Sequence, residues 1–141
     1  MNRKYNIYKA AGIIIVEKKL LVTRETGKEY FIAPGGRVEK AEDPKQTVIR
    51  ELFEEVNIVV KHKDLETFGE FYAEAADIPG SWLKMDVFKV NSWEGEPTPS
   101  NGEEQIEEIL WLTSDIPNNI KVGSIFEHEV IPRLKSLDLI D

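Results

Sequence analysis

Cysteine is missing altogether, histidine occurs only 2 times, and the 18 lysines and arginines are outnumbered by 26 aspartates and glutamates. Without thiols neither a disulfide framework nor a zinc–thiolate site can be built, and the chain suits a reducing cytoplasm. The net charge of −8 argues against binding a nucleic-acid polymer, which needs clustered Lys and Arg against its phosphates. No apolar run approaches the roughly 18 residues of a membrane span, so a soluble, cytoplasmic protein with no membrane contact is expected. Internal repeats and low-complexity tracts are also absent. What remains, 141 residues of which 41% are apolar, suffices for one well-buried domain over 1–141 and is too short for two.

The informative stretch runs from Pro34 to Ile58. Pro34, Gly35 and Gly36 predict a glycine-rich turn, and a helix follows. Asp43 suits the N-cap, Pro44 the first helical position, and Gln46 is placed to complete a capping box. Asn57 tolerates the left-handed conformation that ends many helices, and the β-branched run Ile58, Val59, Val60 after it favours a strand. The helix is therefore expected from about Pro44 to Val56.

At about 3.6 residues per turn, Val48, Ile49, Leu52, Phe53 and Val56 form an apolar arc, with Glu51, Glu54 and Glu55 beside it at i, i+3 and i+4. Like charges at those spacings cost roughly 0.2–0.5 kcal/mol per pair. Arg50 offsets part of this by pairing with Glu54. Three glutamates on a helix are ordinarily a solvated face, but the preceding glycine turn favours a bound hard cation with oxygen ligands.

These residues carry a resemblance. Gly36, five residues, Glu42, seven residues, Arg50 and Glu51, then Leu52, Phe53, Glu54, Glu55, Val56 and Ile58 resemble the signature of the Nudix hydrolases. Ala41 stands where the family usually has Gly, and Asn57 replaces the last Gly of the signature. The resemblance implies an α/β fold, an α/β/α sandwich with a mixed β-sheet between helices, and hydrolysis of a phosphoanhydride in a nucleoside diphosphate linked to another group. It implies Mg2+, with Mn2+ as a substitute, held by Glu51, Glu54 and Glu55 with the Gly35 carbonyl. Glu51 is a ligand or the base that orients water, and Arg50 holds a glutamate in place. Glu42 and Glu39 are second-tier candidates. A late carboxylate is expected among Glu103, Glu104, Glu107 and Glu108. Dimers are common among such relatives, so a homodimer is an open alternative to a monomer.

Phosphates beyond the metal's reach would meet Arg37, then Arg24 and Lys28, although each also reads as a surface charge. Asn119, with Asn118, follows the last strand, where some nucleotide-cleaning relatives place a base-reading amide; a turn is the competing reading. Tyr30, Phe31, Phe71, Tyr72, Trp82 and Phe88 read as core, Trp93 as an exception in an irregular stretch, and His62 and His128 are assigned no chemistry. Extended motifs for ADP-ribose, NADH and coenzyme A are not matched. A small nucleotide-like polyphosphate is the expected substrate, with a nucleoside triphosphate, oxidised or not, ahead of ADP-ribose-like compounds and of a non-catalytic nucleotide sensor.

Elsewhere, strands are expected at Ala10 to Val16, Leu20 to Arg24, Tyr30 to Ala33, Leu65 to Glu74, Ser81 to Val90 and Glu107 to Leu112. Asn91 to Gln105 reads as an irregular segment that is mobile or covers the site. Phe126 to Leu137 reads as a helix that Pro132 kinks or begins.

Overall fold

A computed structural model describes residues 5–74, 79–100 and 105–141. Two sheets and two helical layers make up the α/β fold. The larger sheet has the order β4-β1-β6-β5, with β1 (Ile7–Ile13), β4 (Gly35–Arg37), β5 (Leu65–Glu74) and β6 (Trp82–Val90). It is mixed, because β1 and β6 run parallel while its other pairs are antiparallel. The smaller sheet is antiparallel, with the order β2-β3-β7 from β2 (Ile15–Val16), β3 (Lys19–Glu25) and β7 (Ile106–Leu112). The single mixed sheet expected from the sequence is thus supplemented by a second one.

The apolar run at Ala10 to Val16 is not one strand. The chain leaves the large sheet at Ile14 and enters the small one, turning back at Glu17 and Lys18, both left-handed with φ of 51° and 62°. Two successive left-handed residues match the twist of a tight hairpin. The run is apolar because it serves two sheets: Ile13 faces one core cluster and Ile14 the other.

Helix α1 (Pro44–Val56) follows its local signals. Asp43 and Gln46 form the full capping box, and Asn57 closes the helix at φ 62°. The segment after β6 secures that end. Thr98 N–H donates to Val56 O and Ser100 N–H to Glu55 O, both at 3.0 Å, and Asn57 Nδ2 donates to Thr98 O at 3.1 Å. Carbonyls that a helix terminus leaves without partners are thereby satisfied. The stretch expected to be mobile or to cover the site is, over 91–100, a strap on the helix end.

Four further expectations are corrected. Gly35 and Gly36 form an edge strand on β1, not a turn. Among the described residues, Ile58 to Val60 contributes one bridge, Val59 with Glu94, and no ladder. Tyr30 to Ala33 likewise makes isolated bridges, Phe31 with Val122 and Ile32 with Thr23. At the C-terminus Ile131 N–H reaches back to Phe126 O, so Phe126–Val130 is a wide π turn and regular helix α2 is only Ile131–Ser136. Pro132, which has no N–H and crowds the carbonyl four residues back, accounts for the widening and sits in the first turn of α2.

One core cluster lies beneath α1, where Val48, Leu52 and Val56 meet Ala10, Ile14, Leu21 and Phe88. The other lies beneath the C-terminal helix, where Phe126, Val130 and Leu134 meet Ile13, Leu20, Phe71 and Val87. Both sheets contribute to both clusters, so the sheets separate two helical layers. Each fully buried Val or Leu contributes roughly 1.5–3 kcal/mol. Among the described residues, no helix is long and apolar enough to cross a membrane.

Candidate active site

The buried face of α1 is not the arc that hydrophobicity suggests. Phe53 is 60% exposed, whereas Glu51 and Glu55 are 4% and 1% exposed. The glycine strand makes this possible. A Cβ on Gly36 would overlap Glu51 Oε1, so only glycine leaves room for the carboxylate. Gly35 N–H donates to Glu55 Oε2 at 3.0 Å. Burial pushes the Glu55 carboxyl well above its ordinary range; the hydrogen bond and charge of Glu51 push the same way, and the Gly35 N–H opposes them.

Arg50 organises the other carboxylates. Its Nε and Nη2 grip Glu42 Oε2 and Oε1 at 2.7 and 3.0 Å, and its Nη1 lies 2.8 Å from Glu51 Oε1 and 3.4 Å from Glu54 Oε2. Nη2 also donates to Arg37 O at 3.2 Å, tying the glycine strand to the helix. The bidentate grip holds the Glu42 carboxyl down to about 2 and raises the guanidinium further above its already high range. Thr47 Oγ1 and Glu39 N–H complete the shell of Glu42 at 2.7 and 3.0 Å. Glu42 thus anchors Arg50, which in turn positions Glu51. Just before it, Ala41 takes the left-handed conformation, φ 72°, that favours glycine.

Two adjoining cavities open beside this constellation. A polar chamber of about 320 Å³ is lined by Gly35, Gly36, Glu39, Arg50, Glu51 and Glu25, among others. A more apolar chamber of about 150 Å³ is lined by Ile7, Tyr30, Leu83, Ile125 and Phe126, with Ser124 and Glu74 at hand. Lys9, Ile32, Arg37 and Met85 belong to both.

Of the residues singled out in the sequence, Gly35, Glu51, Arg50 and Arg37 line the polar chamber. Glu55 accepts from the Gly35 N–H and Glu54 from Arg50, and neither glutamate lines the chamber. Arg24 lines neither chamber: it donates to Lys28 O at 3.2 Å, pairs with Glu108 at 3.4 Å and covers the Phe31 ring. Asn119 is exposed in the turn closed by Pro117 and Ile120, also outside both. Glu107 accepts from Thr26 Oγ1 at 3.1 Å, and Glu103 and Glu104 lie outside the described residues. Trp93 packs against the α1 core. Lys9, Glu25, Leu83, Ser124 and Ile125 were not foreseen. Alternation along β1 and β6 fixes which residues share a face, but only the pairing of these distant strands puts Lys9 beside Met85.

The donor set fits a hard divalent ion. Among the described residues, no three acidic or histidine side chains converge into a ready-made cage. Two adjoining buried carboxylates, whose proximity drives Glu55 towards its neutral form, would be relieved by a divalent ion that keeps waters and shares phosphate oxygens.

A profile of the NUDIX domain matches residues 7–134. The 8-oxo-dGTP diphosphatase of Escherichia coli (strain K12) is 33% identical over 99 residues, covering 67% of this chain and 73% of that protein. Its counterpart in Haemophilus influenzae is 34% identical over 100 residues, covering 67% and 70%. Among solved structures, the MutT protein of Bacillus halodurans superposes with a TM-score of 0.64 at 26% identity, covering 87% of this chain and 81% of that one. Nudix hydrolases generally use a divalent metal and act on small nucleotide substrates. The profile match over most of the chain and relatives at a third identity show that the chain belongs to the Nudix hydrolases as a MutT-like pyrophosphohydrolase.

Proposed function

We propose that the chain hydrolyses nucleoside triphosphates, oxidised purine nucleotides among them, to the nucleoside monophosphate and pyrophosphate, using Mg2+ with Mn2+ as a substitute. The observation that carries this reading is the pair of adjoining chambers, one lined by carboxylates and glycines and one by apolar side chains. A polyphosphate fits the first and a base the second. The relatives named 8-oxo-dGTP diphosphatases support the same class. Such nucleotide pools are cytoplasmic, and we assign the protein to that compartment.

Glu51 and Glu55 would hold the ion, with Glu54 and the Gly35 carbonyl as further donors; the ion supplies neutralisation of phosphate charge and a more acidic water. The chain's own groups do the positioning. Gly36 leaves room for the Glu51 carboxylate beside the backbone, since any side chain there would displace it. Arg50 fixes the carboxylate of Glu51 in one orientation, so an attacking water meets a constant acceptor. The apolar chamber excludes water from the base and aligns the anhydride with the carboxylates. Glu25, at the chamber wall, is a further acceptor within the same space.

The test is release of phosphate and pyrophosphate with Mg2+ over common nucleoside triphosphates, 8-oxo-dGTP, ADP-ribose, NADH and a dinucleoside tetraphosphate. Pyrophosphate from triphosphates, lost in Glu54→Gln, is the expected result. Turnover of ADP-ribose alone would overturn the substrate class, and tight nucleotide binding without turnover would make the protein a sensor.

A further inference from the structure

Lys9 and Arg37 stand directly opposite each other in the antiparallel pairing of β1 with β4. Their side chains therefore leave the same face of the sheet, where like charges in register destabilise a pair of strands. Among the described residues, neither side chain makes an ion pair or hydrogen bond. Elsewhere in the chain Arg24, Arg50, Lys18 and Lys84 have carboxylate partners, and acidic residues are in excess. Both cations belong to the seam, lining the polar and the apolar chamber alike. Around them the polar chamber offers Glu25, Glu39 and Glu51, which repel a phosphate that no metal neutralises.

We propose that Lys9 and Arg37 form a two-cation clamp for the phosphate ester that stays with the nucleoside, so that Lys9 is a substrate-positioning residue. The assignment rests on the nucleotide reading above. A nucleotide laid across the two chambers has its base in the apolar one and its outer phosphates among the carboxylates, which leaves the ester-linked phosphate at the seam. Both clamp residues have fixed backbones: Lys9 is paired on both sides, with Arg37 and with Met85, and the Arg37 carbonyl accepts from Arg50. The anion removes the repulsion between two like charges, so binding it relieves a cost that the empty sheet carries.

The clamp is measurable without metal or turnover. Calorimetry in EDTA compares a nucleoside monophosphate with the same nucleoside, each titrated into wild type, Lys9→Ala, Arg37→Ala, the double variant and Lys9→Arg. We expect wild type to prefer the monophosphate by about tenfold or more, as charge-assisted hydrogen bonds allow. Each single variant should lose most of that preference and the double variant all of it, with nucleoside affinity unchanged and Lys9→Arg close to wild type. In turnover the same variants should raise KM several-fold more than they lower kcat. A double variant that keeps the preference, or one that loses nucleoside and monophosphate affinity equally, overturns the clamp. Wild type that hydrolyses triphosphates but shows no preference overturns the clamp and leaves the function standing. Wild type that neither binds nor hydrolyses any nucleotide overturns both.

Discussion

Apart from Glu25, the polar chamber takes its carboxylates and glycines from one continuous run, Gly35 to Glu51, whereas the apolar chamber beside it is assembled from the start of β1, Tyr30 and Ile32, the facing ends of β5 and β6, and Gly123 to Phe126. The first depends on a few contacts of fixed length: a glycine with no Cβ, a backbone N–H on Glu55, an arginine gripping Glu42 at two atoms. The second depends only on shape and apolar area. Chemistry that needs exact charge placement has been kept local in the chain, where the helix and its cap set the geometry. On the proposed function, recognition of the base falls to the distant segments that supply the fitting volume.

Exchanging damage between the two chambers tests this contrast. The largest effect should come from Glu51→Gln, or from a chelator on wild type: turnover should fall about 10²–10⁴-fold, the range for losing a positioned base, with circular dichroism unchanged. A fall in folding rather than turnover would make Glu51 structural. Next is Gly36→Ala, whose methyl group must displace Glu51 Oε1. A misplacement of that kind costs about 10²-fold in kcat, and an unaltered kcat would show that the cradle is not needed. In the apolar chamber Leu83→Ala should raise KM by about tenfold while kcat holds, since a hydrophobic wall discriminates by roughly 1–3 kcal/mol per group. A loss in kcat as large as that of Gly36→Ala would erase the distinction between the chambers.

The smallest effect is on stability and concerns Glu42, whose folded pKa of about 2 lies below its ordinary 4.5. A depressed carboxylate stabilises the fold fully above its unfolded pKa and loses that contribution as pH falls through the folded value. Glu42→Gln should therefore melt below wild type at pH 7, and the gap should close between about pH 4.5 and 2, as thermal scans across that window would reveal. A constant gap would mean that shape, not charge, holds Arg50.

The same division explains what the sequence discloses. Asp43, Gln46 and Asn57 act within a few residues of themselves, and the helix begins and ends where they indicate. Apolar periodicity alone misplaces the inner face, because Glu51 and Glu55 displace Phe53 from it, and nothing in a hydropathy pattern marks a carboxylate as buried. The glycines give no side-chain pattern, so their strand is legible only once β1 is seen to accept it. Ile58 to Val60 has strand propensity, yet among the described residues it is paired only at the Val59–Glu94 bridge. Arg24 is drawn away from the cleft by Glu108, which reaches it only through the pairing of β3 with β7. Lys9, Leu83 and Ile125 converge through long-range pairing and packing, for which no local spacing is a guide.

The position of β1 has a consequence in time. Its two edges are claimed by β4 and β6, and β6 belongs to a much later part of the chain. As the polypeptide leaves the ribosome, the whole run from Gly35 to Glu55 is synthesised before any residue of β6 exists, so the glycine strand can dock only on a strand with one open edge. Closing the parallel pair requires a long loop to be ordered first, which is slow compared with forming the helix. The carboxylates are thus early in synthesis and late in becoming rigid. A cradle whose glycine strand and helix are synthesised together is locked only once β6 has been added to the far edge of β1.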